Sequence, residues 1–343
     1  MNEQPIRVGL VGAGNNTRTM HIPRLQAIPG VEIISVSNRS RASSQRVAGQ
    51  FKIPTIYDNW WELVAAPDTE AIVIGTWPYL HCQATLAALA AGKHVMVEAR
   101  MAMNAAEAAQ MVAAAKANPH LITQVVPAPL SFGVDATIQR LIAEGYLGEL
   151  LAIDVRDHGR SFLDDNAPLH WRQNADLSGV NMLTLGIWYE TLMRWVGEAT
   201  TVMAMGKTFV KMRLDAENGR LTPSRLPEHL TVIADMACGA QATFSLSQVT
   251  GLQPVQEILL YGREGTLRYA NQTLYGGRRG DDQLGQITIP DEERGSWRVE
   301  EEFINAIRGL EPIRYTTFAT GLKYMQFTES VALSLRESKA IHF

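Results

Sequence analysis

The stretch Ile6-Arg7-Val8-Gly9-Leu10-Val11-Gly12-Ala13-Gly14 restricts the fold more than any other part of the chain. Strand-forming residues run directly into Gly-x-Gly, and a helical pattern follows over Arg18–Ile28. A strand that stops at Gly-x-Gly and turns into a helix opens a doubly wound sheet. The first glycine permits the tight turn, the second lets a pyrophosphate approach the backbone, and the helix start supplies amide donors and a favourable dipole. Thr17 stands where the usual fingerprint has a third glycine. A bare Gly-x-Gly also arises for steric reasons, but between strand and helix it points to dinucleotide binding. Gly12, Gly14, Asn15, Asn16 and Thr17 are the residues expected there.

The pattern then repeats. Val31–Val36, Ala71–Ile74, His94–Val97 and Leu121–Val125 are short apolar runs, as strands of a parallel sheet covered on both faces should be. Arg41–Gln50, Tyr79–Ala91 and Ala105–Ala117 read as helices between them, with Asn104 as a cap for the last. The second strand leads into Asn38-Arg39-Ser40-Arg41. An acidic residue at its end would accept bonds from the ribose hydroxyls of NAD, whereas a neutral residue followed by arginine suits a 2′-phosphate. Asn38, Arg39 and Ser40 therefore favour NADP over NAD. The other reading makes these arginines a solvated helix start.

Beyond residue 126 the apolar residues cluster or alternate over Leu151–Asp157, Thr200–Val210, Leu230–Ala237, Ala242–Gln248, Val255–Tyr261 and Thr266–Tyr269. These read as strands of a second sheet, with a hairpin turn at Tyr261–Gly265. A chain of 343 residues accommodates two domains, 1–126 and 127–343. The net charge of -4 leaves no basic field for nucleic acid. No run reaches a membrane-spanning length, and no leader pattern opens the chain. Two distant cysteines, Cys82 and Cys238, suggest neither a metal site nor a disulfide framework. The expectation is a cytoplasmic protein with no metal.

Together with the Gly-x-Gly turn, the segments GTWPYLHCQATLAALAAGKHV and EARMAMN resemble the Gfo/Idh/MocA oxidoreductases, the glucose–fructose oxidoreductase and inositol dehydrogenase type. The phrases WRQNADLSG, LLYGREGTLRY and FINAIRGLEPIRYTTFATGLKYM extend the resemblance over nearly the whole chain. It implies a Rossmann domain followed by an α/β domain with a large, mostly antiparallel open sheet, and a small-molecule substrate bound over the nicotinamide. It also implies that the last helix, Phe318–Glu337, packs on the first domain. An exposed sheet face suggests a homo-oligomer, a dimer or tetramer.

The resemblance also shows what has changed. The family's Thr-Pro-Asn-x-x-His beside the cofactor is here Thr76-Trp77-Pro78-Tyr79-Leu80-His81, where His81 reads as a capping or packing residue rather than a catalytic one. The family's Glu-Lys-Pro is Glu98-Ala99-Arg100. Glu98 keeps its expected place by the nicotinamide ribose, the lysine is lost, and Arg100 either reaches the pocket or points to solvent. The family's aspartate, histidine and second aspartate on one helix face match Thr184, Trp188 and Thr191. Oxidising a carbinol requires a base for the hydroxyl proton, and the usual base and lysine are both absent.

Candidates to replace the base are Tyr189, His158 and His170, each with an ordinary reading as a core or loop residue. Arg172 belongs with the expected pocket, and Trp188 reads as an apolar or cation-binding wall. Three functions stay open. The first is hydride transfer between NADP(H) or NAD(H) and a carbinol or carbonyl carbon of a sugar-like molecule, in a rebuilt site. The second is reduction of a preformed iminium, which needs no proton. The third is a non-catalytic dinucleotide-binding sensor or assembly protein.

Overall fold

The computed structural model describes residues 5–343, and they divide into two units. One unit holds the described residues up to Pro127 together with Arg298–Met325; the other holds Ala128–Trp297 and Gln326–Phe343.

The first unit is built on six strands: β1 (Ile6–Val11), β2 (Val31–Ser37), β3 (Thr55–Ile56), β4 (Ala71–Ile74), β5 (His94–Val97) and β6 (Thr123–Val125). They form one parallel sheet in the order β3-β2-β1-β4-β5-β6, the doubly wound order of dinucleotide-binding units. All four residues of β4 are buried, as strands covered by helices on both faces require. Helices α1 (Ile22–Ala27), α2 (Arg41–Phe51), α3 (Trp60–Ala65), α4 (Pro78–Ala90) and α5 (Ala105–Ala117) lie between the strands in sequence. The expected single helix over Arg18–Ile28 is instead a π-helical turn, Thr17–His21, running into α1. Ile22 donates its N–H five residues back to Thr17, and Pro23 has no N–H to continue the ladder. Ser40 and Asn104 cap α2 and α5.

The second unit contains α6 (Phe132–Ala143), β7 (Leu150–His158), α7 (Ala175–Ser178), α8 (Leu185–Val196), β8 (Ala199–Lys207), β9 (Met212–Asp215), β10 (Arg220–Pro223), β11 (His229–Met236), β12 (Gln241–Ser247), β13 (Val255–Gly262), β14 (Gly265–Ala270), β15 (Thr273–Arg278), β16 (Gly285–Gln286) and β17 (Ile341–His342). β9 and β10 pair as a separate hairpin. The other nine strands of this unit make one sheet, β16-β15-β14-β13-β7-β12-β11-β8-β17, antiparallel except where β7 meets β12. Its two faces differ. Val202, Leu230, Val232, Phe244 and Leu246 are completely buried, and Phe244 packs against Tyr189 of α8. Met203, Met205 and Ile233, one residue out of phase, are exposed on the opposite face.

α9 (Val299–Ile307) belongs to the first unit, and α10 (Phe318–Glu337) divides between the two at Met325. No helix among the described residues is long and apolar enough to cross a membrane.

Candidate functional site

In the first unit a cleft of about 360 Å³ opens beside the glycine turn. Gly12 has φ +81°, and a Cβ there would fall 2.5 Å from the Thr76 methyl, so its glycine serves the fold. Gly14 is different. It is exposed on the cleft, its φ is not left-handed, and a Cβ would meet only the Gly75 carbonyl at an ordinary 3.4 Å. Nothing in the described protein requires glycine there, whereas a pyrophosphate lying on the backbone does. The missing third glycine is also explained. Thr17 is buried, and a Cβ on Gly75 would fall 2.1 Å from its hydroxyl. The close packing of first helix turn on sheet is kept by moving the glycine from residue 17 to the end of β4.

Of the residues expected to hold the cofactor, Gly12, Gly14, Asn38, Arg39, Thr76 and Trp77 line this cleft. Asn38 accepts the Ala13 N–H at 2.6 Å and donates to the Ser43 hydroxyl at 3.1 Å, so it braces the glycine turn. The Arg39 guanidinium lies over the Trp77 ring, 5.3 Å from its centre. Arg41 is paired with Asp58, which also lines the cleft. Asp58, Trp60 and Trp61 on the far wall were not legible as cofactor residues.

Asn15, Asn16, Thr17, Ser40, His81 and Glu98 lie off the cleft wall. Ser40 accepts the Ser43 N–H as the α2 cap. His81 is buried between two carbonyls, Arg100 O at 2.9 Å and Thr76 O at 3.0 Å, and burial pushes its pKa down. It ties the Thr76 loop to the Glu98-Ala99-Arg100 loop. Arg100 itself is buried, which settles that its side chain does not point to solvent.

Glu98 belongs to a cluster the sequence did not reveal. Its Oε1 takes the Asn16 amide at 2.5 Å and lies 2.9 Å from His21 Nε2, while His21 Nδ1 lies 2.5 Å from Glu300 Oε1 on α9. His21 and Glu300 are fully buried. Burial alone would lower the imidazole pKa, but the bonds to Glu300 and Glu98 outweigh it and hold His21 at about 9. In return, the charged histidine and the Asn16 amide overcome the burial of Glu98 and keep its carboxyl below its usual range. Both ring nitrogens thus donate, and Glu98 is held anionic.

In the second unit, the positions matching the family's catalytic helix are accounted for individually. Trp188 is buried, and its indole N–H donates to Asp157 Oδ2 at 2.9 Å. The Thr184 hydroxyl donates to the same oxygen at 2.6 Å. Thr191 is buried and bonds back to the Ile187 carbonyl.

The three proposed replacements for the base occupy three unlike places. Tyr189 is a core residue. Its ring stacks on Phe327 with centres 3.6 Å apart, its oxygen takes the Ala199 N–H at 2.8 Å, and burial pushes its pKa up. Its placement one residue after Trp188 turns it from the Asp157 side into the sheet. His158 contacts the Ser245 hydroxyl at 2.8 Å, on the sheet face that carries Met203 and Ile233 rather than the face packed by α8. His170 is exposed and accepts the Arg172 N–H as the cap of a short 3₁₀ turn, while Arg172 lies over the Trp171 ring. These three do not form a cluster. No group of three or more metal-ligating side chains occurs among the described residues.

With this geometry, comparison with known proteins is direct. The family model "Oxidoreductase family, NAD-binding Rossmann fold" matches residues 6–125, and "GFO/IDH/MocA C-terminal domain" matches 136–268. The chain belongs to the GFO/IDH/MocA oxidoreductases, an NAD-binding family. An uncharacterized oxidoreductase of Synechocystis is 25% identical over 303 residues, covering 84% of this chain and 81% of that protein. The trans-1,2-dihydrobenzene-1,2-diol dehydrogenase of Oryctolagus cuniculus is 32% identical over 166 residues; the match covers 48% of this chain and about half, 49%, of that protein. The solved structure of levoglucosan dehydrogenase, in complex with NADH and levoglucosan, shares the fold with a TM-score of 0.84 at 20% identity, covering 99% of both chains.

Proposed function

We propose that the protein is an NADP(H)- or NAD(H)-dependent oxidoreductase that moves hydride between the nicotinamide and a carbinol or carbonyl carbon of a sugar-like small molecule, in a site rebuilt without the family's lysine and histidine. Gly14 carries the reading: an exposed glycine beside the cleft that no protein contact requires. The nicotinamide supplies the hydride chemistry when bound. Gly12 and Gly14 receive the pyrophosphate, Asn38 and Arg39 the adenosine ribose end, and Glu98, held as an anion by His21, the nicotinamide ribose. The neutral Asn38 and the cationic Arg39 favour NADP, although Asp58 already neutralises Arg41. Trp188, expected as a wall of the substrate pocket, is left out of it because its side chain is buried. Tyr189, buried and stacked, is left out of the proton-transfer set. The exposed Met203, Met205 and Ile233 are the face on which a second copy pairs.

The test is two measurements on one preparation. Quenching of tryptophan emission by NADH and NADPH gives the two affinities. Nicotinamide absorbance with aldohexoses, inositols and 1,6-anhydro sugars gives turnover. Binding with turnover of at least one such donor is expected. Binding with no turnover on these alcohols, nor on their carbonyl products with reduced cofactor, removes the proposed function and leaves a dinucleotide-binding protein.

A further inference from the structure

The glycine turn is anchored from behind. Two residues after Gly14 the π-helical turn Thr17–His21 begins, and it is pinned at both ends. At its start, Thr17 is buried against Gly75, and the amide of Asn16 donates to Glu98 Oε1 at 2.5 Å. At its end, His21 donates through Nε2 to that same oxygen at 2.9 Å and through Nδ1 to Glu300 Oε1 at 2.5 Å. Glu98 directly follows β5, and its N–H bonds the Ile74 carbonyl at the end of β4. One carboxylate oxygen thus ties the turn after β1 to the carboxyl ends of β4 and β5, the edge along which ligands of doubly wound sheets bind. All of these residues, Glu300 of α9 included, belong to the first unit. Only an imidazolium donates from both ring nitrogens; a neutral ring leaves one of the two carboxylates without its N–H. Arg24 of α1 stands 4.0 Å from Glu300, and His81 of α4, which acts on Glu98, is pushed toward its neutral form by burial. π-turns are rare and recur mostly at functional places.

We propose that charged His21, held by Glu300, is a positioning residue for the dinucleotide: it fixes the glycine turn and Glu98 in the arrangement that receives the cofactor, so the cofactor binds the protein with His21 protonated more tightly than the protein without that proton. The inference rests on the cofactor placement proposed above. His21 is fully buried and acts through the π-turn and Glu98 rather than by contact with the ligand. When the proton leaves, the ring no longer spans both carboxylates, and the turn that carries Gly14 loses an anchor. By linkage the effect runs both ways, and bound cofactor tightens the hold of His21 on its proton by the same factor.

NADH affinity of the full-length protein, followed by tryptophan quenching from neutral to alkaline pH, tests this. It is expected to be level near neutrality and to fall by about tenfold as His21 loses its proton near pH 9. Glu300→Gln keeps an oxygen for Nδ1 to bond but removes a charge that raises the imidazole, so the fall moves to lower pH. A fall that stays at the wild-type pH, or an affinity level across the whole range, overturns the proposal. The wild type gives a second readout that needs no variant. His21 is raised to about 9, so its isotope-labelled ring resonance is recognised by its late titration. Saturating NADH is expected to move that titration up by about one pH unit, the same tenfold coupling seen from the histidine. A histidine with a merely structural role titrates at one pH with and without NADH, and that result overturns the proposal. A wild type that binds neither NADH nor NADPH brings down the cofactor placement as well, whereas one that binds NADH equally at every pH brings down only this inference.

Discussion

His21 and Glu300 are 279 residues apart in the chain, and a ring nitrogen of one lies 2.5 Å from a carboxylate oxygen of the other inside the same unit. With Glu98 on the far side, the imidazolium is held between two anions. The sign of the pH dependence follows. His21 is raised from 6.5 to about 9, so its contribution to stability is complete below pH 6.5 and is lost as pH climbs through about 9. Glu98 is lowered, so its contribution is present above the ordinary carboxylate range and is lost as pH falls through its depressed folded value. Denaturant unfolding at a series of pH values is expected to show wild-type stability declining from pH 6.5 to about 9. His21→Gln should lack that slope and lose about 3–5 kcal/mol near neutrality, since removing one partner leaves buried charge uncompensated. An unchanged slope in the variant would assign it to another group.

The two glycines of the turn should separate on mutation. Gly12→Ala is expected to lower stability by roughly 2–4 kcal/mol, because φ is left-handed and the new methyl meets Thr76. Gly14→Ala should leave the unfolding midpoint close to wild type and weaken NADH or NADPH binding by about tenfold or more, through steric contact with the pyrophosphate. The opposite pattern, a destabilised Gly14→Ala with normal affinity, would sink the placement of the cofactor.

Cofactor choice is read at Asn38. Asn38→Asp retains the oxygen that accepts the Ala13 N–H and adds a charge on the cleft wall, where the adenosine ribose is proposed to lie. The ratio of NADPH to NADH affinity is expected to fall by about tenfold, from repulsion of the 2′-phosphate at roughly 1.4 kcal/mol. Arg39→Ala should move the same ratio the same way. Titration of both variants with both dinucleotides decides it, and equal losses for NADH and NADPH would mean that neither residue reads the phosphate.

Tyr189→Phe separates core from chemistry. The stacked ring survives, while the Ala199 N–H loses its acceptor. Stability should fall by about 1–3 kcal/mol, with kcat unaltered at a temperature where the variant stays folded. A drop of about 100-fold in kcat without loss of stability would return Tyr189 to the reaction.

The parallel sheet was legible because its strands are apolar on both faces and the Gly-x-Gly turn fixes where the first one ends. The short pieces were not. Thr55–Ile56 pairs through two residues, and Trp60–Ala65 makes a helix of six, too little for a period to show. In the site, the period of two along β7 puts Arg156 and His158 on one face. The apolar partners of that same alternation, Ile153 and Val155, mark the buried face, and extending them by one step reaches Asp157. That signal was present in the sequence. Nothing comparable announced Glu300, since a pairing across 279 residues leaves no local pattern. Thr17 was read as a lost glycine, and only the position of Gly75 shows that the loss is compensated.

The division of the first unit between two chain stretches has a consequence for synthesis. Its strands are made before any of the other unit, yet Glu300, which completes the pairing of His21, and Tyr324, whose hydroxyl oxygen takes the Met101 N–H, are made only after nearly all of the other unit. The nucleotide-binding unit is thus begun before the other and completed only after most of it. Until residue 300 is made, the chain holds only one of the two carboxylates that flank His21, Glu98.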